Sequence, residues 1–212
     1  MSASSPDRIP LLGASAGSLA ATLAVYDVSF EDATNCAVDL SKKIGLWDRP
    51  LGLAFIWGSL IEDWLDELLP PSNSFEVPPP GDLNILVSPA TIPSVLGFSP
   101  RDCITAFKDR EDVINANMAS IHLPLFLNKK LSRPFRGNNY IDGSFQSKPS
   151  DYSSVAQDVI TLDYAGDDKL NSSPGGFVSL VSIDGVWKMM EFGREYAKKL
   201  EGEGYFKALE NH

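Results

Sequence analysis

RIPLLGASAGSLAATLAVY, residues 8–26, is the stretch whose reading decides the fold. Arg8 to Leu12 is a short, mostly apolar run closed by Gly13, the pattern of a buried strand. Ser18 to Tyr26 is rich in Ala and Leu, which give up little side-chain freedom in a helix. Between them Gly13-Ala14-Ser15-Ala16-Gly17 holds only small residues and predicts a tight turn. Strand, turn and helix in that order, with a serine at the apex, is what the pattern G-x-S-x-G requires physically. The small flanking residues let the turn close and leave the serine oxygen exposed. The helix N-terminus behind it places partial positive charge where an oxyanion would form. The same five residues also read as a glycine-rich helix start without chemistry.

Further along, Ser29 is an N-cap with Asp32 in the capping-box position, opening a second helix that runs to about Ile44. Leu51 to Leu69 carries Trp57, Leu60, Ile61, Trp64, Leu65 and Leu68 at helical spacing, with Glu62, Asp63, Asp66 and Glu67 on the other face. That apolar face reads either as an ordinary core-facing stripe or as a surface that lines an acyl pocket or touches lipid. Pro70-Pro71 ends it, and Pro78-Pro79-Pro80-Gly81 forms a rigid loop. Leu83 to Val87, Cys103 to Phe107 and Val159 to Leu162 read as strands, and Tyr140-Ile141 as a short strand ending at Asp142-Gly143. Asp109 to Ala119, capped by Asp109, and Gly185 to Leu200 read as helices. Ser147 to Ser154 and Asp167 to Gly176 are polar and loop-like. Strands alternating with helices predict an α/β fold with a mostly parallel sheet, in one domain over residues 1–212.

Composition narrows the function. Of 212 residues, 43% are hydrophobic and 22% charged, which excludes a wholly disordered chain. A formal net charge of -10 repels phosphate backbones, so no nucleic acid partner is expected. Two cysteines, Cys36 and Cys103, have no paired spacing for zinc or a disulfide framework. No apolar run is long enough for a transmembrane segment.

A serine nucleophile needs a base. The chain has two histidines. His122 lies in the apolar segment Ser120-Ile121-His122-Leu123-Pro124-Leu125 and reads as a packed core residue, while His212 is the last residue. Ser15, Asp142 and His212 would reproduce a Ser-Asp-His triad in α/β-hydrolase order. A carboxylate that touches the serine directly serves as well, and Asp142 is the best placed, because Gly143 after it permits close backbone approach. Taken alone, Asp142-Gly143 also reads as a simple turn.

Gly13-Ala14-Ser15-Ala16-Gly17 together with Tyr140-Ile141-Asp142-Gly143-Ser144 resembles the patatin-like phospholipase family, whose branches include triacylglycerol lipases. Phe107 to Pro124 resembles the family segment that ends in an alanine-serine pair and a proline, and Met189 to Tyr205 resembles its C-terminal helix. The resemblance covers most of residues 9 to 205. It implies a three-layer α/β/α fold and a Ser-Asp dyad, with Ser15 as nucleophile, Asp142 as proton acceptor and the Ala16 N–H as an oxyanion donor. It implies a lipid substrate, an acylglycerol or phospholipid, cleaved at its carboxylic ester through an acyl-enzyme. No metal or cofactor is implied, and the location implied is cytoplasmic or peripheral to a membrane or lipid droplet. The chain departs from the family at Ser144, where a glycine or alanine is usual. It also departs upstream: the family sets a first strand and a glycine-rich oxyanion loop before the nucleophile, whereas twelve residues precede Gly13 and none fits. Gly175-Gly176 is late and loop-like. The resemblance therefore carries the expectation of a chain missing its first strand and oxyanion loop, and of a poor catalyst. The alternative is a catalytically impaired relative that binds lipid or a partner.

Overall fold

The computed structural model describes residues 9–91, 100–145, 151, 159–163, 166–171, 180–207 and 209. Strand β1 (Leu11–Ala14) leads through Ser15 into helix α1 (Ala16–Val25). Helix α2 (Phe30–Lys43), a 3-10 turn at Leu46–Asp48 and helix α3 (Trp57–Leu68) follow. Then come β2 (Leu83–Pro89), β3 (Asp102–Ile104), helix α4 (Arg110–Ser120), β4 (Arg133–Phe135), β5 (Asn138–Ile141), a short helix α5 (Asp168–Asn171) and the long helix α6 (Ile183–Gly202).

Local chemistry sets several helix starts. The Ser29 hydroxyl accepts the Asp32 N–H at 3.0 Å and donates to the Asp32 carboxylate at 2.7 Å. Asp109 accepts the Asp112 N–H at 2.9 Å, and Ser182 accepts the Gly185 N–H at 3.1 Å. Each bond satisfies an N–H that the helix itself leaves without a partner. Helix α2 also carries Glu31 and Asp32 in its first turn and Lys42 and Lys43 in its last, matching the helix dipole. The apolar stretch from Leu51 becomes helical only at Trp57, since Gly52 and Phe55 take positive φ.

The protein is a mixed α/β structure whose described strands form one sheet in the order β1-β2-β5-β4, with β3 also on β2. The expected parallel pairing holds at β1–β2, where Gly13 faces Ile85 and Ala14 faces Leu86. The other pairings, β2 with β3, β2 with β5 and β4 with β5, are antiparallel. Register explains the shift of the first strand from Arg8–Leu12 to Leu11–Ala14: its ladder is fixed by β2, and Ile9 lies outside it, 46% exposed. Val159 to Leu162 is not a strand. Among the described residues it joins no strand, Val159 and Leu162 are exposed, and the Thr161 carbonyl accepts the Tyr205 hydroxyl at 2.8 Å in place of a ladder bond. The Cys103 to Phe107 strand is shorter than expected, as β3, and Asp168–Asn171 forms one helical turn within the polar stretch 167–176. Residues 146–150, 152–158 and 172–179, with most of those loop expectations and Gly175-Gly176, lie outside the described residues.

The core sits on one face of β2. Leu83, Ile85 and Val87 are fully buried against Ala21 of α1 and Val113, Ala116 and Ala119 of α4. Each such aliphatic side chain contributes about 1.5–3 kcal/mol by leaving water. A polar tie crosses this layer: the buried Asn117 amide donates to the Thr22 hydroxyl at 2.8 Å, fixing α4 against α1. Among the described residues no helix is long and apolar enough to cross a membrane.

Candidate active site

The elbow after β1 is strained. Ser15 has φ 52° and ψ -128°, a region that costs an L-residue of order 1–3 kcal/mol and persists only when its surroundings hold it. Those surroundings are on both sides of the serine. A Cβ on Gly13 would lie 2.2 Å from the Gly17 carbonyl oxygen, so the turn closes only because residue 13 lacks one. The Ser15 N–H donates to the Ser120 hydroxyl at 3.0 Å, and the Ser18 N–H and hydroxyl donate to the Ser15 carbonyl at 2.9 and 2.7 Å. Gly17 has open space around its Cβ position, so it is in the motif without a packing need.

The carboxylate arrives on β5, a second partner of β2. β1 pairs with β2 as far as Leu86, and β5 meets β2 antiparallel at Pro89 and Ser88. Ser15 follows β1 and Asp142 follows β5, so both chains deliver their next residue to the level of Val87. There the Ser15 hydroxyl donates to Asp142 Oδ2 at 2.7 Å. Ser15 is partly exposed, while Asp142 is 2% exposed. A buried carboxylate requires donors, and Asp142 has them: Oδ1 accepts the Ser144 N–H at 2.8 Å and the Ser144 hydroxyl at 2.6 Å. The turn behind it is held by backbone bonds from Asp142 N–H to the His122 carbonyl at 2.9 Å and from Gly143 N–H to the Ser120 carbonyl at 2.7 Å. The Ser88 hydroxyl donates to the Asp142 carbonyl at 2.8 Å. Gly143 admits no side chain, because a Cβ there would lie 2.0 Å from the Leu86 carbonyl oxygen.

Ser120 is the joint between the two halves. It is fully buried at the C-terminus of α4; its hydroxyl accepts from Ser15 and donates to the Leu86 carbonyl at 2.7 Å, and its carbonyl accepts from Gly143. One residue therefore fixes both the serine and the carboxylate turn to β2. The sequence held Ser120 only as part of an alanine-serine pair, and Ser88 lay just past the expected Leu83 to Val87 strand with nothing to mark it. Ser144 read as a small-residue substitution, whereas its hydroxyl is a ligand of the Asp142 carboxylate.

His122 does not complete a triad. His122 is 1% exposed, as its apolar segment predicts, and its Nε2 lies 3.3 Å from the Lys130 carbonyl while Nδ1 has no partner. Burial holds its imidazole below the usual histidine range, with the Lys130 contact opposing in part. The Ser15 hydroxyl already meets Asp142 without an intervening ring. His212 lies outside the described residues. Neither cysteine competes as a nucleophile: burial pushes the thiols of Cys36 and Cys103 up to about 11, with Glu67 adding to the effect at Cys36. Among the described residues no three His, Cys, Asp or Glu side chains converge as a metal site would need.

Chemically, a serine hydroxyl bound to a carboxylate can lose its proton as the oxygen attacks a carbonyl carbon. The Ala16 and Gly17 N–H groups open α1 and have no acceptor within the helix, so they present donors beside Ser15 where oxyanion charge would develop. On the α3 face the Trp64 indole N–H donates to the Ala33 carbonyl at 2.7 Å and its ring packs against the core. Trp57 packs edge-on against Phe126 at 5.6 Å. No family model, curated protein or solved structure matches the chain.

Proposed function

We propose that this protein is a serine ester hydrolase of the patatin-like kind, acting on acylglycerols or phospholipids through a Ser-Asp dyad. The observation that carries the reading is the direct 2.7 Å bond from the strained Ser15 hydroxyl to Asp142 Oδ2. In the first step Ser15 Oγ attacks the ester carbonyl carbon and its proton passes to Asp142 Oδ2. The tetrahedral oxyanion collapses, the C–O bond to the alcohol breaks, and the leaving oxygen takes the proton from Asp142. A water then attacks the acyl-serine, gives its proton to the same carboxylate, and the fatty acid leaves as the proton returns to Ser15. The Ala16 N–H stabilises the oxyanion in both halves, and Ser144 keeps Oδ1 occupied so that Oδ2 faces the nucleophile.

The test is labelling by a fluorophosphonate, followed by turnover of a chromogenic fatty-acid ester. Ser15→Ala abolishes labelling, and Ser15→Ala and Asp142→Asn each lower turnover by roughly a thousandfold or more, since nucleophile and base act as a unit. Activity of either folded variant within tenfold of the parent would rule the dyad out. Retention of labelling in Ser15→Ala would place the reactive group elsewhere.

A further inference from the structure

Away from the dyad, two loops project large apolar side chains into water. The first, before α3, exposes Leu51 (62%) and Phe55 (42%); the second, after α4, exposes Leu125 (54%) and Leu131 (69%). They form one surface, since the Phe55 N–H donates to the Phe126 carbonyl at 2.8 Å and the Gly58 N–H to the Leu127 carbonyl at 3.5 Å. The outward aim of the side chains is built in. Phe55, Leu125 and Lys129 all take left-handed backbone at φ 69°, 66° and 61°, an unfavourable conformation for a bulky residue. Bonds across the loops fix it: the Leu125 N–H donates to the Lys130 carbonyl at 2.8 Å, and Lys129 Nζ sits 5.0 Å from the centre of the Phe55 ring. Lys129 and Lys130 are both exposed, in a chain whose formal net charge is -10. Apolar side chains beside the exposed Lys129-Lys130 pair, on a protein of net negative charge, match the layered chemistry of a bilayer with anionic headgroups above its acyl chains.

We infer that the paired tips at 51–56 and 123–131 are a docking surface for an anionic phospholipid bilayer. Leu51, Phe55, Leu125 and Leu131 enter the acyl boundary, and Lys129 and Lys130 meet the headgroups. The loops also lead back to the dyad. The His122 carbonyl, at the root of the second loop, accepts the Asp142 N–H, and His122 Nε2 contacts the Lys130 carbonyl. The inference stands on this surface and not on hydrolysis, so its test reads binding alone.

The experiment is co-sedimentation of the full chain with vesicles of phosphatidylcholine, with and without phosphatidylserine, alongside thermal unfolding of every variant. The parent sediments with the anionic vesicles and at least about tenfold less with phosphatidylcholine alone. Lys129→Gln with Lys130→Gln lowers the affinity by about thirtyfold at low salt, at the usual contribution of a basic residue near such a surface. Leu125→Ser with Leu131→Ser lowers it by at least about tenfold through lost apolar burial. The same charge change on α6, Lys198→Gln with Lys199→Gln, leaves it unchanged. Failure of the parent to bind anionic vesicles overturns the inference, as does binding that survives both tip variants or falls equally with the α6 pair. A parent that is dimeric by light scattering and becomes monomeric in Leu125→Ser with Leu131→Ser also overturns it, because a second copy would then cover the tips.

Discussion

Non-glycine residues take positive φ at the Ser15 elbow, at the projecting tips Phe55, Leu125 and Lys129, and in the turns at Asp27 and Arg136; the elbow and the tips hold that strain in opposite ways. At the elbow the strain is enclosed. Gly13 and Gly143 stand where any Cβ would meet a backbone oxygen, and Ser120 binds the strained residue's own N–H. At the tips backbone bonds, a few side-chain bonds and ring contacts hold the chain, and Phe55, Leu125 and Lys129 themselves are exposed. Strain in a packed joint fixes one atom's position against another, as an acyl-transfer site needs. Strain in a projecting loop fixes only which way a side chain faces, as a docking surface needs. The two regions should therefore answer differently to substitution.

The largest effect belongs to the enclosed region. Gly13→Ala and Gly143→Ala each force a Cβ to about van der Waals overlap with backbone, and each costs about 3 kcal/mol or more as strands shift apart. For a chain of this size that lowers Tm by about 6–12 °C. Gly17→Ala, in the same motif but with nothing near its Cβ position, raises stability by about 0.5–1 kcal/mol through helix propensity. Thermal unfolding of the three variants checks the comparison. A loss at Gly17 as large as at Gly13 would mean that the elbow's tightness is not set by the packing described.

Next comes the joint itself. Ser120→Ala removes the acceptor of the Ser15 N–H and the donor to Leu86, leaving buried polar groups without partners at a cost of about 2 kcal/mol. The expected consequence for chemistry is larger than its stability cost implies: labelling of Ser15 slows on the order of tenfold, because the serine drifts from its carboxylate. Ser144→Ala, at an exposed position, leaves Tm nearly unchanged and lowers kcat about threefold to tenfold with little change in KM, since only the orientation of Asp142 is loosened. Restoration by Ser144→Thr would separate the hydroxyl's role from a general effect on the turn. An unchanged kcat in Ser144→Ala would show that the backbone N–H alone orients the carboxylate.

These joints also show what the sequence made legible. The strand-turn-helix order around Ser15 could be read because it is local: small residues, then good helix formers, within one stretch of chain. The Ser29 and Asp109 caps were legible for the same reason. The contact between Ser15 and Asp142, 127 positions apart, was carried by a resemblance and not by spacing. Nothing local marked Ser120 or Ser88, because their value lies in what three separate segments place around them. Val159 to Leu162 failed for the complementary reason, since apolar alternation says a segment suits a sheet and not that an edge is free to take it. The tips were illegible because glycine, the usual sign of positive φ, is absent at Phe55, Leu125 and Lys129.

His122 lies between the two regions and gives a pH test of the boundary. Burial holds its imidazole neutral to lower pH than the ordinary value of 6.5, helped by Arg133 and Lys130 and opposed by the Lys130 carbonyl and Asp142. The unfolded chain therefore binds the proton first. The stability that His122 contributes is present above pH 6.5 and is lost as the pH falls below it, by at most about 1.4 kcal/mol per pH unit. Thermal unfolding from about pH 7.5 to about pH 5.5 should show Tm falling in the parent and a shallower fall in His122→Gln. Equal slopes would mean that the imidazole protonates in place, in which case the root of the second loop is open to water and the enclosed region ends at Asp142.

The smallest effect is a gain, and it separates the regions most cleanly. Leu125 pays for its left-handed backbone with no enclosing contacts in return: it is 54% exposed at φ 66°. Glycine adopts that φ without the steric cost of about 1–2 kcal/mol, against a loss of about 0.5–1 kcal/mol from the greater freedom of the unfolded chain. Leu125→Gly should therefore raise stability by a few tenths to about 1 kcal/mol, while anionic vesicle binding weakens. Ser15→Gly relieves the same kind of strain at the elbow but also removes the hydroxyl that Asp142 accepts, so a buried carboxylate oxygen loses its donor. Any gain there should be smaller than at Leu125. Measuring both Tm values on one scale makes the comparison direct. If Leu125→Gly is destabilising, the leucine packs against something in solution, and the tip is part of the enclosed structure instead of a surface held out toward lipid.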